Sequence, residues 1–222
     1  IRHVRAFLRW MYDNEIMTED VCKKFKLPKA VRPSIDVLTD EEVQQIFAAV
    51  RGEDFLSVRN ELIVALFLDS GLRLNELVSI RRNRLHVDER YVIVDGKGNK
   101  QRAVPFGNGT RALFRKYLNI FPGQSAFLFV REDGVHITEN TVRDLFRHLK
   151  EASGIERLHP HLLRHTFATR FLENGANIYA LQSILGHTTL EMVRRYLHLS
   201  DRGKIREEFV NYSPFDSFYA KK

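Results

Sequence analysis

The stretch LHVDERYVIVDGKGNKQRAVP, residues 85–105, decides the fold class because its pattern departs from the helical spacing found on both sides of it. β-Branched and aromatic residues gather there around glycines and charged residues, as is typical of strands joined by a tight turn. We expect a small antiparallel sheet with a hairpin near residues 95–100. The chain is therefore predicted to be mainly α-helical with one small antiparallel β-sheet, an α+β fold.

Before this stretch the sequence predicts helices with well-marked ends. Thr39 and Glu42 form a capping box, in which a hydroxyl and a carboxylate satisfy backbone N–H groups, and apolar residues follow at helical spacing. A strongly apolar helix over 57–70 ends at Gly71, because glycine readily adopts the left-handed conformation that closes a helix. A short helix from Leu74 to Ile80 comes next.

After the sheet the helical spacing resumes, and glycines mark two of the breaks between helices. The predicted helices lie at about 110–120, 139–153, 161–174, 178–185, 189–198 and 202–211.

The first 29 residues form a separate region. Residues 1–18 and 19–27 have helical spacing, but two short helices bury too little apolar surface to fold alone. A proline-containing segment follows and predicts a linker. We therefore predict an incomplete helical domain over 1–29, a linker over 30–36 and a larger domain over 37–222.

The composition favours a polyanionic partner. The 222 residues include 35 Lys and Arg against 28 Asp and Glu, a net charge of +7, so nucleic acid is the first candidate and an anionic membrane surface the second. The single cysteine, Cys22, excludes an internal disulfide and suits a reducing compartment. No apolar run approaches the roughly 18 residues that span a bilayer. We expect a cytoplasmic, nucleoid-associated protein with no membrane partner.

The densest group of polar side chains lies in HPHLLRHTFATRFLENG, residues 159–175. Helical spacing places His161, Arg164, His165 and Ala168 along one stripe, with apolar residues on the opposite side. We expect one buried face and one face that presents two imidazoles and a guanidinium. Such a motif alone is more often a solvated helix face than a catalytic site.

A zinc site is a competing interpretation, because His161 and His165 stand four residues apart as in metalloprotease helices. The intervening residues include Arg164 and lack the glutamate that serves as general base in H-E-x-x-H. We therefore predict no metal here.

Two further motifs carry polar residues at breaks between helices. In SGLRLNEL, Arg73 begins a helix and Glu76 lies three residues later. In SILGHTTLEMVRRYLHL, His187 follows a glycine-ended helix and Tyr196 comes nine residues after it. Each motif alone also fits a surface ion pair or a packed tyrosine.

The hairpin DGKGNKQR is the fourth motif. Its glycines place Lys97 at an exposed tip, with Lys100 and Arg102 behind it. Taken alone, it also fits a solvated turn.

Together these side chains suit metal-free transfer of a phosphodiester. Guanidinium groups bind the charged equatorial oxygens of the transition state, so Arg73 and Arg164 are the predicted phosphate ligands. The departing 5′ oxygen needs a proton, which Lys97 can supply. A phenol, whose ordinary pKa is about 10, needs a base, and His161 suits that role while His187 donates to a phosphate oxygen.

The ordered motifs GLRLNEL, VDGKGNKQRAVPF, HPHLLRHTFAT and LGHTTLEMVRRYLHL resemble those of the tyrosine recombinase family, which includes Xer recombinases, phage integrases and Cre. The resemblance covers about residues 36–200. It implies a catalytic domain with mainly helical structure, preceded by a helical core-binding domain of which residues 1–29 are the C-terminal part. It also implies that neither ATP nor any other cofactor is needed.

Carried over residue by residue, the resemblance implies six catalytic residues around one DNA phosphate, with the tyrosine as nucleophile: Arg73, Lys97, His161, Arg164, His187 and Tyr196. Glu76 matches a carboxylate that helps to hold the first arginine, and His165 fits the family pattern without an evident role. The basic residues expected to contact DNA are Arg81, Arg82, Lys100, Arg102 and Arg143.

The resemblance implies site-specific recombination of double-stranded DNA through a 3′-phosphotyrosine. It also implies a tetramer on two DNA sites, in which residues 202–222 reach a neighbouring copy; packing on their own domain is equally expected. The run RRYLHLSD differs from the YTHV-like run of Xer proteins, which slightly favours the integrase of a mobile element.

Two other functions remain open at this point. A type IB topoisomerase shares the same cleavage chemistry. A helix-turn-helix regulator that binds DNA without cutting it would fit the short helices between 161 and 198 and the basic charge, but it leaves Arg73 and Lys97 unexplained.

Overall fold

A computed structural model of the chain describes residues 2–23, 36–96, 101–121 and 125–186. The chain divides into two compact units, residues 1–34 and 35–222. Within the described ranges, no helix combines the length and the apolar character that crossing a membrane requires.

The first unit contains helix α1 (Arg2–Asp13) and a turn of 3-10 helix, Val21–Lys23. Arg9 donates from Nη1 to the buried carboxylate of Asp20 at 2.8 Å, which fastens the turn to the helix. Of the helix predicted over 1–18, Arg2–Asp13 is helical and residues 14–18 form turns and bends. Only one turn of the helix predicted over 19–27 lies within the described residues. The predicted linker lies outside them except for its last residue, Asp36.

In the second unit, helices precede and follow a small sheet along the sequence. The helices are α2 (Asp40–Val50), α3 (Phe55–Ser70), α4 (Leu74–Val78), α5 (Asn108–Asn119), α6 (Glu139–Ser153), α7 (Pro160–Glu173) and α8 (Ile178–Leu185). The strands are β1 (Leu85–His86), β2 (Tyr91–Asp95) and β3 (Gln101–Pro105). The helices predicted over 189–198 and 202–211 lie outside the described residues.

The sheet confirms the predicted change of pattern at residues 85–105. Its order is β1-β2-β3 with both pairs antiparallel, and Val92 lies opposite Val104. Both valines are fully buried, so one face of the sheet covers the core while the other face stays more polar. The predicted α+β fold is confirmed.

Helix α3 forms the centre of the core. It packs against α2, α5 and α7, and its apolar residues are buried on nearly every side, among them Leu62, Leu66 and Phe67. The capping box predicted for α2 is present, with Thr39 accepting from the N–H of Glu42 and the Glu42 carboxylate accepting from the N–H of Thr39. These contacts fix the scaffold on which α4 and α7 are mounted.

The turn after α3 requires glycine. Gly71 adopts φ +60°, and a Cβ there would lie 2.5 Å from a ring carbon of Phe167 and 2.8 Å from a methyl of Leu185. The end of α3 therefore lies directly against α7 and α8. Arg73, which begins α4, follows two residues after this close contact.

Helix α7 differs from its prediction. Of the stripe expected to face solvent, Arg164 is only 5% exposed and Ala168 is fully buried, while His161 is exposed and His165 is intermediate. The expectation of a solvent-facing guanidinium was wrong, because α8 packs on α7 and backbone carbonyls supply hydrogen bonds that allow the arginine to be buried.

Candidate active site

Arg73 is held by the helix that it begins. Its backbone N–H donates to Oε2 of Glu76 at 2.8 Å, and its Nη1 donates to Oε1 at 2.8 Å. Glu76 is 2% exposed, whereas the side chain of Arg73 remains 31% exposed. The predicted pairing of the two residues is therefore present as a partly buried clamp, and the guanidinium still reaches the surface.

Arg164 ties two distant segments together. Its Nη1 donates to the carbonyl of Gly71 and its Nη2 donates to the carbonyl of Leu185 at 3.0 Å. One guanidinium thus joins the turn before Arg73 to the last turn of α8. A lysine cannot reproduce this, because its ammonium is a point donor while the guanidinium is a planar fork.

His161 lies in the first turn of α7 at the edge of the same cluster. Partial burial lowers its pKa, and the positive charges of Arg164 and Arg73 lower it further. Both guanidinium groups therefore act on one imidazole, which they favour in the neutral form. The structure brings together three of the six predicted catalytic residues.

The remaining three predicted catalytic residues, Lys97, His187 and Tyr196, lie outside the described residues, as does Lys100. Their neighbours are described: Asp95 and Gln101 pair at the base of the hairpin, and Gly186 closes α8 with φ +62°.

The sequence predicted that Arg102 contacts DNA, but in the structure its guanidinium binds other residues of the protein. Its Nη1 and Nη2 donate to the two oxygens of Glu76 at 2.8 and 2.9 Å, and its Nε donates to the carbonyl of Ile184 at 2.8 Å. The side chain is 13% exposed. Sequence reasoning missed this role, because the partners of Arg102 lie 26 and 82 residues away in the chain.

Glu76 is therefore shared by two arginines. Burial raises the pKa of its carboxyl group, but the hydrogen bonds from Arg102 and Arg73, together with their charges, outweigh this and leave the pKa below its ordinary value. The carboxylate is ionised across the neutral range.

Three further basic residues predicted to contact DNA, Arg81, Arg82 and Arg143, are exposed at the surface. Arg81 lies over the ring of Phe127 at 5.3 Å, and Arg82 lies over the ring of Phe121 at 4.8 Å. Arg143 pairs with Glu139 on the surface of α6. The aromatic rings hold the first two guanidiniums in place while leaving them at the surface.

His159 is a further polar residue at this site that the sequence reasoning did not assign. It is the N-cap of α7, and its Nδ1 accepts the N–H of Leu162 at 3.1 Å. Burial, the charge of His161 and the charge of Lys150 lower its pKa. The signal was available in the sequence, because a proline at 160 marks the first helical residue and makes residue 159 the cap.

Within the ranges that the structure describes, no group of three or more His, Cys, Asp or Glu side chains lies close enough to bind a metal ion. The described site is instead a cluster of three guanidiniums, one carboxylate and one imidazole. Of these groups, the Arg73 guanidinium reaches the surface and is suited to binding an anion such as a phosphate.

A comparison with protein families decides the classification, since the model described as the phage integrase family matches residues 36–202. The chain belongs to the phage integrase family. The predicted family, the tyrosine recombinases, is thereby confirmed, and the match begins close to the start of the second compact unit.

Curated relatives and solved structures agree with this family. The chain is 37% identical over 180 residues to tyrosine recombinase XerC of Staphylococcus carnosus, covering 79% of this chain and 60% of the relative. It is 35% identical over 221 residues to XerC of Staphylococcus epidermidis, covering 96% of this chain and 74% of the relative. The chain thus spans between about three fifths and three quarters of the length of these two relatives.

The fold is shared with solved recombinases. XerA recombinase superposes with a TM-score of 0.66 at 25% identity, covering 95% of this chain and 74% of that chain. The integrase of transposon Tn1549, solved in complex with circular intermediate DNA, gives a TM-score of 0.73 at 22% identity, covering 94% and 78%. These likenesses confirm the predicted fold, and the relatives support the predicted class of activity, tyrosine-type site-specific recombination.

Proposed function

We propose that the chain is the catalytic portion of a site-specific recombinase that cuts and rejoins double-stranded DNA through a 3′-phosphotyrosine. The observation that carries this proposal is the convergence of Arg73, Arg164 and His161. Transfer of a phosphodiester to a phenol needs positive charge at the phosphate and a neutral base, and Arg73 and His161 supply these.

The proposed reaction assigns one role to each residue. The phenol oxygen of Tyr196 attacks the phosphorus while its proton passes to His161, and the bond to the 5′ oxygen breaks. Lys97 protonates that 5′ oxygen as it leaves. Arg73 and His187 bind the phosphate oxygens, and so does Arg164, whose guanidinium is 5% exposed in this structure and must become accessible when DNA binds. The 5′ hydroxyl of a partner strand reverses the step to rejoin the DNA.

A nicked suicide substrate tests the cleavage step. The short fragment downstream of the cut, which carries the new 5′ hydroxyl, diffuses away after cleavage. The protein therefore remains covalently attached to the DNA and appears as a slower band in denaturing electrophoresis. We expect such a band for the native chain and none for Tyr196→Phe. A non-cleaving regulator would give no band with either protein.

The role of Lys97 has its own test. A 5′-bridging phosphorothiolate carries a leaving group that needs no proton, so it should restore cleavage by Lys97→Ala if that lysine is the general acid. Equal impairment on the phosphate and phosphorothiolate substrates would remove the assignment. Excess chelator should leave cleavage by the native chain unchanged, because no step of the proposed reaction uses a metal.

We also propose that four copies assemble on two DNA sites and that residues 202–222 bind a neighbouring copy. Support comes from the apolar residues of that segment and from an apolar groove of about 300 Å³ whose lining includes Leu68, Phe106 and Phe167. Deleting residues 202–222 should leave cleavage of a single site intact and abolish the four-copy complex in sedimentation. A deletion variant that still forms this complex would contradict the proposed binding of residues 202–222 to a neighbouring copy.

The curated relatives bear the name XerC, which favours a Xer-type role over the slight preference for a mobile element that the run RRYLHLSD suggested. We propose that the protein acts in the cytoplasm, where the nucleoid provides its DNA. Recombination between two copies of one site, rather than relaxation of supercoiled DNA alone, separates this function from that of a topoisomerase.

A further inference from the structure

A buried carboxylate joins the predicted phosphate ligand Arg73 to the base of the hairpin. Glu76 accepts hydrogen bonds from the backbone and Nη1 of Arg73 on one side and from both terminal nitrogens of Arg102 on the other. Arg102 belongs to β3, and Glu76 lies in α4. The two arginines are therefore connected through a single carboxylate that is 2% exposed.

Of the two arginine side chains bound to Glu76, that of Arg102 makes more hydrogen bonds to the carboxylate. It is bidentate, whereas Arg73 uses one guanidinium nitrogen on the same carboxylate. Arg102 is also less exposed, at 13% of its side chain against 31% for Arg73. Two parallel hydrogen bonds in a mostly buried setting make Arg102 the main counter-charge of Glu76.

Arg102 is fixed from a second direction as well. Its Nε donates to the carbonyl of Ile184, and a Cβ on Gly186 would lie 3.1 Å from its guanidinium. The end of α8 therefore packs directly against the guanidinium of Arg102. Its positive charge is paired with the Glu76 carboxylate inside the protein.

From this arrangement we propose that Arg102 is a positioning residue for Arg73. By neutralising and orienting the Glu76 carboxylate, it leaves the charge of Arg73 available to the DNA phosphate. This inference deepens the proposed function and rests on it. No direct contact between Arg102 and DNA is involved, in contrast to the contact that the sequence suggested.

The net charge of the cluster gives the proposal a signature that can be measured. Arg73, Glu76 and Arg102 carry a net charge of one positive unit. In Arg102→Gln the sum falls to zero, so Glu76 draws Arg73 into a full ion pair and away from the phosphate. Adding Glu76→Gln to that variant restores one positive unit on Arg73. A purely structural role predicts that the double variant is worse than either single variant.

The experiment measures the rate of covalent complex formation on the nicked suicide substrate for the native chain, Arg102→Gln, Arg102→Lys, and Arg102→Gln combined with Glu76→Gln. We expect Arg102→Gln to lose about ten-fold or more, because Glu76 then withdraws Arg73 from the developing charge, and losing one oriented donor there costs at least that much. Arg102→Lys should lose less, because it keeps the charge. The double variant should cleave faster than Arg102→Gln alone.

A second substrate separates charge from misfolding. Replacing one non-bridging oxygen of the scissile phosphate by a methyl group removes its negative charge, so the missing positive charge matters less. The defect of Arg102→Gln relative to the native chain should shrink on this methylphosphonate. A distorted fold would impair cleavage of both substrates equally.

The matched control is Arg84→Gln, which removes another arginine–carboxylate pair, the one between Arg84, just before β1, and Asp95 in β2 at 2.6 Å. It should cleave both substrates with an unchanged ratio. Thermal unfolding of every variant shows which of them fold. If Arg102→Gln does not fold, Arg102→Lys is compared with the native chain on both substrates instead.

Two results would overturn the inference: equal losses for Arg102→Gln and Arg102→Lys on both substrates, or a double variant no faster than Arg102→Gln. Absence of covalent complex with the native chain would instead refute the proposed function, so the two failures are distinguishable.

Discussion

At the scale of single residues, the protonation state of His161 depends on its neighbours. Burial and the charges of Arg164 and Arg73 hold its pKa below the ordinary value of 6.5, so the neutral, proton-accepting ring predominates at neutral pH. Since the base must be neutral, cleavage should fall as pH falls through this lowered pKa. The acid limb of the rate profile should therefore lie below pH 6.5.

The measurement is the rate of covalent complex formation between pH 5 and 8, roughly the range over which histidines titrate. In Arg73→Gln one of the depressing charges is lost, so an NMR titration should show the pKa of His161 closer to its ordinary value. His161→Gln should lack the acid limb. An acid limb that survives unchanged in His161→Gln would assign the base elsewhere.

At the scale of structural elements, the turn between α3 and α4 offers a prediction about stability. Gly71→Ala should destabilise the fold strongly, because the new Cβ meets Phe167 and Leu185 in addition to the strain of a left-handed backbone. We expect a loss of about 3 kcal/mol in the free energy of unfolding, measured in urea. Gly154→Ala is the matched control.

Gly154 closes α6 with φ +71°, and a Cβ there would meet no atom within 4 Å, so its substitution should cost only the backbone strain of about 1 kcal/mol. Similar losses for the two variants would mean that the close contact of the turn with α7 and α8 is not the reason for glycine at position 71.

The start of α7 gives a second prediction at this scale. Nδ1 of His159 accepts the N–H of Leu162, so only the neutral ring caps the helix. His159→Ala should lower the free energy of unfolding by about 1 kcal/mol at pH 8, while His159→Asn, which retains an acceptor, should lose little. Urea denaturation measures both variants.

The pH dependence follows with its sign. The folded-state pKa of His159 is below 6.5, so its stabilising contribution is present above pH 6.5 and is lost as pH falls through the lowered pKa. The difference in stability between the native chain and His159→Ala should therefore shrink on acidification. A difference that stays constant down to pH 5 or so would show that the cap does not depend on the neutral ring.

Elements with strong local signals were predictable from sequence. The bounds of α6 and α8 agree with their predictions, and so does the capping box at Thr39, because spacing, caps and closing glycines are local. The exposure of Arg164 and the role of Arg102 were not predictable. Their partners are backbone carbonyls and a carboxylate contributed by distant segments, which periodicity within one helix cannot reveal.

At the scale of the whole molecule, the net charge of +7 predicts salt-dependent binding to DNA. Arg82 is exposed and held over Phe121, so we expect it to contact a phosphate without reading bases. Arg82→Gln should weaken binding equally for specific and unrelated DNA, and it should reduce the slope of log K against log salt by about one.

Fluorescence anisotropy at several salt concentrations provides this slope. Arg115→Gln is the control, since Arg115 is exposed but paired with Asp88, and it should leave the slope nearly unchanged. A slope reduced equally by both substitutions would mean that only total charge matters and that Arg82 has no contact of its own.

The proposed function requires that one tyrosine forms a bond to a DNA phosphate in the pocket of Arg73, Arg164 and His161. Mass spectrometry of the trapped covalent complex, after digestion with nuclease and trypsin, identifies the residue that carries the nucleotide. We expect a nucleotide phosphate on the peptide YLHLSDR, residues 196–202, at its single tyrosine. A nucleotide on any other peptide, or a complex that forms equally with Tyr196→Phe, would contradict this assignment.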